Sequence, residues 1–200
     1  MSKMTNLEFM AEQGKPGRVC LVGGRSAIDR GIRKAQRRLT ADGKPSRWSH
    51  AFVFQGERAD GRIWLLESDI DVCHGQVRNG VQEHRIDKYG DDAGYPNVAV
   101  LDFGLDASAV ATMVRAGLDF ISKSTKYAFG GILRTYVGMM TKKLDRAPEK
   151  DEIFCSAFVR SLVKHAGLDL VPAVAVHHTT PEHLSQTPVS HKRYELIRQD

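Results

Sequence analysis

The sequence predicts an α+β fold, a small antiparallel sheet packed against helices. Strand-length apolar runs gather in the first half of the chain, and two of them are joined by a hairpin turn. Two stretches with apolar residues at helical spacing lie beyond them. Strands and helices thus come in groups rather than in strict alternation, the order of an α+β chain.

Residues 18–22 read as a short strand ending at Gly23 and Gly24. A helix follows over about 26–39, with Ser26 as its cap and Ile28, Ile32, Ala35 and Leu39 recurring on one face. The loop 42–46, with Gly43 and Pro45, ends it. Residues 50–54 and 62–67 form the hairpin, turning at Gly56, Asp60 and Gly61. Residues 77–84 suit an edge strand and 98–103 a further strand. The first of the later helices spans 107–122, with Val110, Met113, Val114, Leu118 and Ile121 on one face. The second spans 155–165 and stops at Gly167. Residues 194–197 return as a last strand, and the charged stretch 142–151, broken by Pro148, reads as a flexible insert able to gate a site.

Two hundred residues, 42% hydrophobic and 26% charged, suit one domain with its own core. The expected division is an N-terminal extension over 1–17 and a single domain over 18–200. No run reaches the roughly 20 apolar residues of a membrane span, and the N-terminus lacks the apolar core of a secretory signal. The chain is therefore expected to be cytoplasmic as synthesised. Its formal charge is +5, with eight cations between Arg25 and Arg47. Such a segment suits a solvated helix face or an anionic partner. Neither an aromatic ladder nor zinc-finger spacing supports specific nucleic-acid binding.

Three cysteines at these spacings make no disulfide framework. Cys20 sits in an apolar run and reads as core; Cys73 follows an acidic stretch and reads as loop. Cys155 opens an apolar-periodic helix, where unpaired N–H groups and the positive end of the dipole favour the thiolate form. His50, at the mouth of a strand, is the candidate base, and Glu67 on the neighbouring strand the candidate orienting carboxylate, with Asp69 in reserve. Taken singly, each has a plainer reading: Cys155 as core, His50 as a half-buried strand end, Glu67 as the partner of Arg62 or Lys88. Val22-Gly23-Gly24 lacks both a P-loop lysine and a complete GxGxxG. His50, Cys73, His74, His177 and His178 show no ligand spacing, so neither metal nor cofactor is expected.

The order Trp48-Ser49-His50-Ala51, Trp64-Leu65-Leu66-Glu67, Tyr127-Ala128-Phe129-Gly130-Gly131, Phe154-Cys155-Ser156-Ala157-Phe158-Val159 and Thr179-Thr180-Pro181-Glu182-His183-Leu184-Ser185 resembles the circularly permuted branch of the NlpC/P60 papain-like superfamily. That branch includes YiiX-like and lecithin:retinol acyltransferase-like proteins, and its histidine strand precedes its cysteine helix. The resemblance implies a papain-like core with Cys155 as nucleophile, His50 as base and Glu67 as orienting residue. It further implies a pocket lined by Tyr127, Ser49 and Ser156. The activity it implies is hydrolysis of amide bonds in peptidoglycan stem peptides. Without signal or binding module, such an enzyme suits an antibacterial effector delivered to a periplasm by type VI secretion, with an immunity or delivery protein as partner. Two alternatives stand beside it. One is a lipid or acyl-chain amidase, thioesterase or acyltransferase, with apolar residues between Ile132 and Met140 facing lipid. The other is a non-catalytic basic binding domain on the same scaffold.

Overall fold

The computed structural model describes residues 4–73, 76–123 and 154–198. Its centre is a six-stranded, wholly antiparallel sheet built from β1 (Val19–Gly23), β2 (His50–Glu57), β3 (Ile63–Cys73), β4 (Gln76–Arg85), β5 (Asn97–Asp102) and β6 (Lys192–Ile197). The strand order is β4-β3-β2-β1-β5-β6. Five helices accompany it among the described residues: α1 (Asn6–Gln13), α2 (Ala27–Ala35), α3 (Ala107–Ser122), α4 (Cys155–His165) and α5 (Pro181–Ser185). Mixed helix and antiparallel sheet is the α+β class that the sequence predicts.

The strand runs are apolar throughout rather than alternating because the central strands are covered on both faces. Val19 and Leu21 of β1, Ala51 and Val53 of β2, and Ala99 and Leu101 of β5 pack into one core. Phe158, Val159, Leu162 and Val163 of α4 complete that core with Met113 and Ala116 of α3. Their neighbours Cys20, Val22, Phe52, Phe54, Val98 and Val100 point the other way. There they meet Phe9 and Met10 of α1 and the 3-10 turn Ile86–Tyr89. Each large apolar side chain so buried contributes roughly 1.5–3 kcal/mol. The four on α4 thus fix the helix that carries Cys155.

The N-terminal stretch expected as an extension contains α1. Its signal was legible in principle, since Thr5 and Glu8 form a reciprocal capping box. The helix from Ser26 is shorter than the spacing suggests. Ser26 and Asp29 cap it as a box, but it tightens into a 3-10 turn at Gln36–Arg38. There the Gln36 amide donates to Ile32 O and Trp48 O, tying the helix end to the approach to β2. Cys73 lies at the end of β3, not in a loop, because the acidic stretch before it continues the strand and pairs with β4. Gly167, at φ +85°, turns the chain just past α4 as its position predicts. Tyr127, the apolar residues 132–140, His74 and the stretch 142–151 lie outside the described residues. No helix among the described residues is long and apolar enough to cross a membrane.

Candidate active site

The start of β2 is pinned where it must present His50. Ser49 N donates to Val22 O, and Gly24 N donates to Ser49 Oγ. A Cβ on Gly23 would stand 1.9 Å from Arg47 O, so only glycine admits this close crossing of β1 by the incoming chain. His50 then pairs with Val22 across the sheet. Glu67 sits in mid-β3 opposite Gln82, the strand that neighbours β2.

His50 Nε2 lies 2.8 Å from Glu67 Oε2. Glu67 is fully buried, and a buried carboxylate persists only when paired and hydrogen-bonded. His50, Tyr89 and Lys88 do this. The Tyr89 hydroxyl donates to Oε2 at 2.5 Å, and Lys88 Nζ donates to Oε1 at 2.6 Å while reaching Asp69 Oδ2 at 2.7 Å. His84 Nε2 stands 3.8 Å from Oε1. Lys88 and Tyr89 both come from the 3-10 turn after β4, which delivers an ammonium and a phenol to the same carboxylate. The Tyr89 ring also stacks on Phe52, at 4.8 Å between centroids, and lies 25° from the plane of His50.

The electrostatics follow from this packing. Burial disfavours a charged His50, but Cys155 and Asp69 by their charge, and hydrogen bonds with Cys155 and Glu67, lift its pKa well above the usual histidine value. Burial would likewise raise the Glu67 carboxyl; the Lys88 charge and the His50 hydrogen bond and charge reverse this and hold it well below the usual range. Burial and the Glu67 charge push the Tyr89 phenol up, so it stays a donor. The ligand atoms of His50, Glu67 and Asp69 lie within 4.8 Å of one another, a spacing compatible with a metal ion. Lys88 already places a positive charge between the two carboxylates.

Cys155 is the first residue of α4, and no side chain caps this helix. Phe154, in extended conformation, is its N-cap, and Phe158 N donates to Phe154 O at 2.7 Å. The N–H groups of the first turn precede any intrahelical bond, as at every helix start. The structure therefore brings Cys155, His50 and Glu67 into one chain of interactions, with Asp69 linked through Lys88. The hydroxyls of Ser49 and Ser156 face the protein. Ser49 Oγ serves Gly24 N, and Ser156 Oγ donates to Thr179 O at 2.7 Å. Burial pushes the thiol of Cys20 well up, in keeping with a core residue. In the sequence Lys88 reads only as a plain ion-pair partner of Glu67, and nothing there marks Tyr89. No family model matches the chain, and no curated protein matches it either.

Proposed function

We propose that the protein is a cysteine hydrolase of the papain-like, circularly permuted NlpC/P60 type, acting on amide bonds with peptidoglycan stem peptides as its substrate class. The observation that carries the reading is His50, buried, 2.8 Å from Glu67 and interacting with Cys155 at a helix N-terminus. The substrate class rests on the sequence resemblance.

In this reading His50 takes the Cys155 proton, and the sulfur adds to the scissile carbonyl carbon. The oxygen becomes anionic and is met by first-turn N–H groups of α4, which the helix dipole reinforces. Collapse of the intermediate breaks the C–N bond, and His50 returns its proton to the departing amine. Water, deprotonated by the same imidazole, adds to the thioester and releases the carboxylic acid and the thiol. Glu67 holds the ring in one orientation and favours its protonated form throughout.

The test is alkylation of Cys155 by iodoacetamide against pH, read by mass spectrometry, in the wild type and His50→Ala. Cys20, fully buried, is the internal reference. The expected result is a Cys155 rate at neutral pH reduced by about tenfold or more without His50. Purified peptidoglycan should release peptide fragments with the wild type and none with Cys155→Ala. Equal alkylation in both proteins would remove the dyad and leave a binding domain on this scaffold.

A further inference from the structure

Glu67 and Asp69 stand two residues apart on β3, so both side chains leave the same face of the strand. Two carboxylates therefore come up to His50, and an oxygen of each lies within 4.8 Å of the other and of a ring nitrogen. Glu67 holds the imidazole, at 2.8 Å from Nε2, while Asp69 acts on it through its charge. Either acid could serve as the orienting group by residue type alone.

Lys88 tells the two acids apart. Its Nζ donates to Glu67 Oε1 at 2.6 Å and to Asp69 Oδ2 at 2.7 Å, which leaves Glu67 Oε2 for His50 and the Tyr89 hydroxyl. Burial disfavours this ammonium, but the charges of Glu67 and Asp69 and its hydrogen bonds to both raise its pKa above the ordinary lysine value. Its place is set by the 3-10 turn, whose Ile86 and Tyr89 are buried in the core shared with α1. The cation is thus fixed by packing as well as by the acids it meets.

Without that cation, two carboxylates at this spacing cannot both stay ionised in a buried site, and one must take a proton. The Asp69 side chain is 26% exposed and can keep its charge against solvent, whereas Glu67 is fully buried. The proton would fall on Glu67, and His50 would lose the charge that favours its imidazolium form.

We propose that Lys88 is a positioning residue of the cysteine site: it takes up Asp69 and Oε1 of Glu67, and so makes Glu67 rather than Asp69 the carboxylate that orients His50. The proposal rests on the reading of Cys155 and His50 as nucleophile and base.

The test is the rate of Cys155 alkylation by iodoacetamide at neutral pH in the full-length protein, with circular dichroism to check that each variant is folded. A wild-type rate in His50→Ala removes the dyad, and this proposal with it. With the dyad in place, Lys88→Met keeps the apolar stem, removes the charge and should slow alkylation about tenfold. Removing the charge of Asp69 as well should undo most of that loss, so that Lys88→Met combined with Asp69→Asn reacts within about threefold of the wild type. A lysine that only braced the fold would show no such recovery, because the second substitution takes away a further ionic partner. A wild-type rate in Lys88→Met, or a double variant no faster than Lys88→Met, overturns the proposal and leaves the dyad standing. If Lys88→Met does not fold, the double variant decides: a rate within about threefold of the wild type supports the proposal and a slower one overturns it.

Discussion

Tyr89 donates its hydroxyl to the same Glu67 oxygen that His50 meets, so the phenol and the imidazole share one buried acceptor. The other oxygen is held by Lys88, which ties Glu67 to Asp69. Glu67 is therefore the common acceptor of a buried network, and its charge is what the surrounding donors are arranged around.

Glu67→Gln keeps the shape and removes that charge. Gln brings a donor into a site already crowded with donors, and Lys88 retains only Asp69. Breaking a buried charge network in this way costs about 3 kcal/mol. Urea unfolding at neutral pH measures it, and a loss below about 1 kcal/mol would place Glu67 among ordinary surface-like pairs. Cys155 alkylation should fall alongside, because His50 loses its orienting partner.

Tyr89→Phe separates the structural part of the network from its effect on His50. The ring still stacks on Phe52, while Glu67 loses one charge-assisted hydrogen bond, worth about 2 kcal/mol. His50 keeps its own contact with Glu67. The expected outcome is a stability loss in urea with Cys155 alkylation far less affected than in His50→Ala.

Stability should depend on pH through two opposite shifts. The His50 pKa is raised on folding, so its contribution is complete below the ordinary value of 6.5 and disappears as pH rises through the folded value. The Glu67 pKa is lowered, so its contribution is complete above the ordinary value of 4.5 and is lost as pH falls through the folded value. Unfolding midpoints across pH should show a plateau with a falling limb on each side. His50→Gln should remove the alkaline limb of this pair and leave an acid limb from Glu67.

Much of this was legible locally, and the misses have physical causes. The span 107–122 and the cysteine helix carry strong 3.6-residue patterns, the second stopped at Gly167, and α3 and α4 occupy those residues. Pairing of β2 with β3 followed from turn residues, which is why Glu67 could be placed beside His50. Cys73 was misplaced because acidic residues look like loop, although cross-strand pairing with β4 carries them as strand. Tyr89 was passed over because nothing local marks a phenol in a 3-10 turn as a partner for a residue 22 positions away. That contact is set by how the turn after β4 folds back over the sheet, a tertiary fact without a periodic signature. Ser49 and Ser156, which the resemblance places in the pocket lining, hydrogen-bond backbone groups of the protein.

Arg160 offers a test of what holds the cysteine helix. It is buried in α4, five positions beyond Cys155, and its guanidinium grips the segment that follows the helix. Nε and Nη2 donate to the two oxygens of Asp169 at 2.7 and 3.1 Å, while Nη1 donates to Val174 O at 2.6 Å and Thr179 Oγ1 at 2.9 Å. Thr179 O is in turn the acceptor for Ser156, so the clamp closes beside the first turn of the helix. Arg160→Leu fills the space but strips all four bonds, and about 3 kcal/mol of stability should go with them. Arg160→Lys should restore only a fraction, because one ammonium cannot match a fork that meets carboxylate and carbonyl together. The hydrogen bond from Arg160, outweighing a small effect of burial, holds the Asp169 carboxyl down to about 2. Its contribution is therefore present above the ordinary 3.8 and fades as pH falls toward the folded value. The gap between wild type and Arg160→Leu in urea should accordingly be full at neutral pH and narrow in strong acid, and a gap independent of pH would mean that Asp169 takes no part in the clamp.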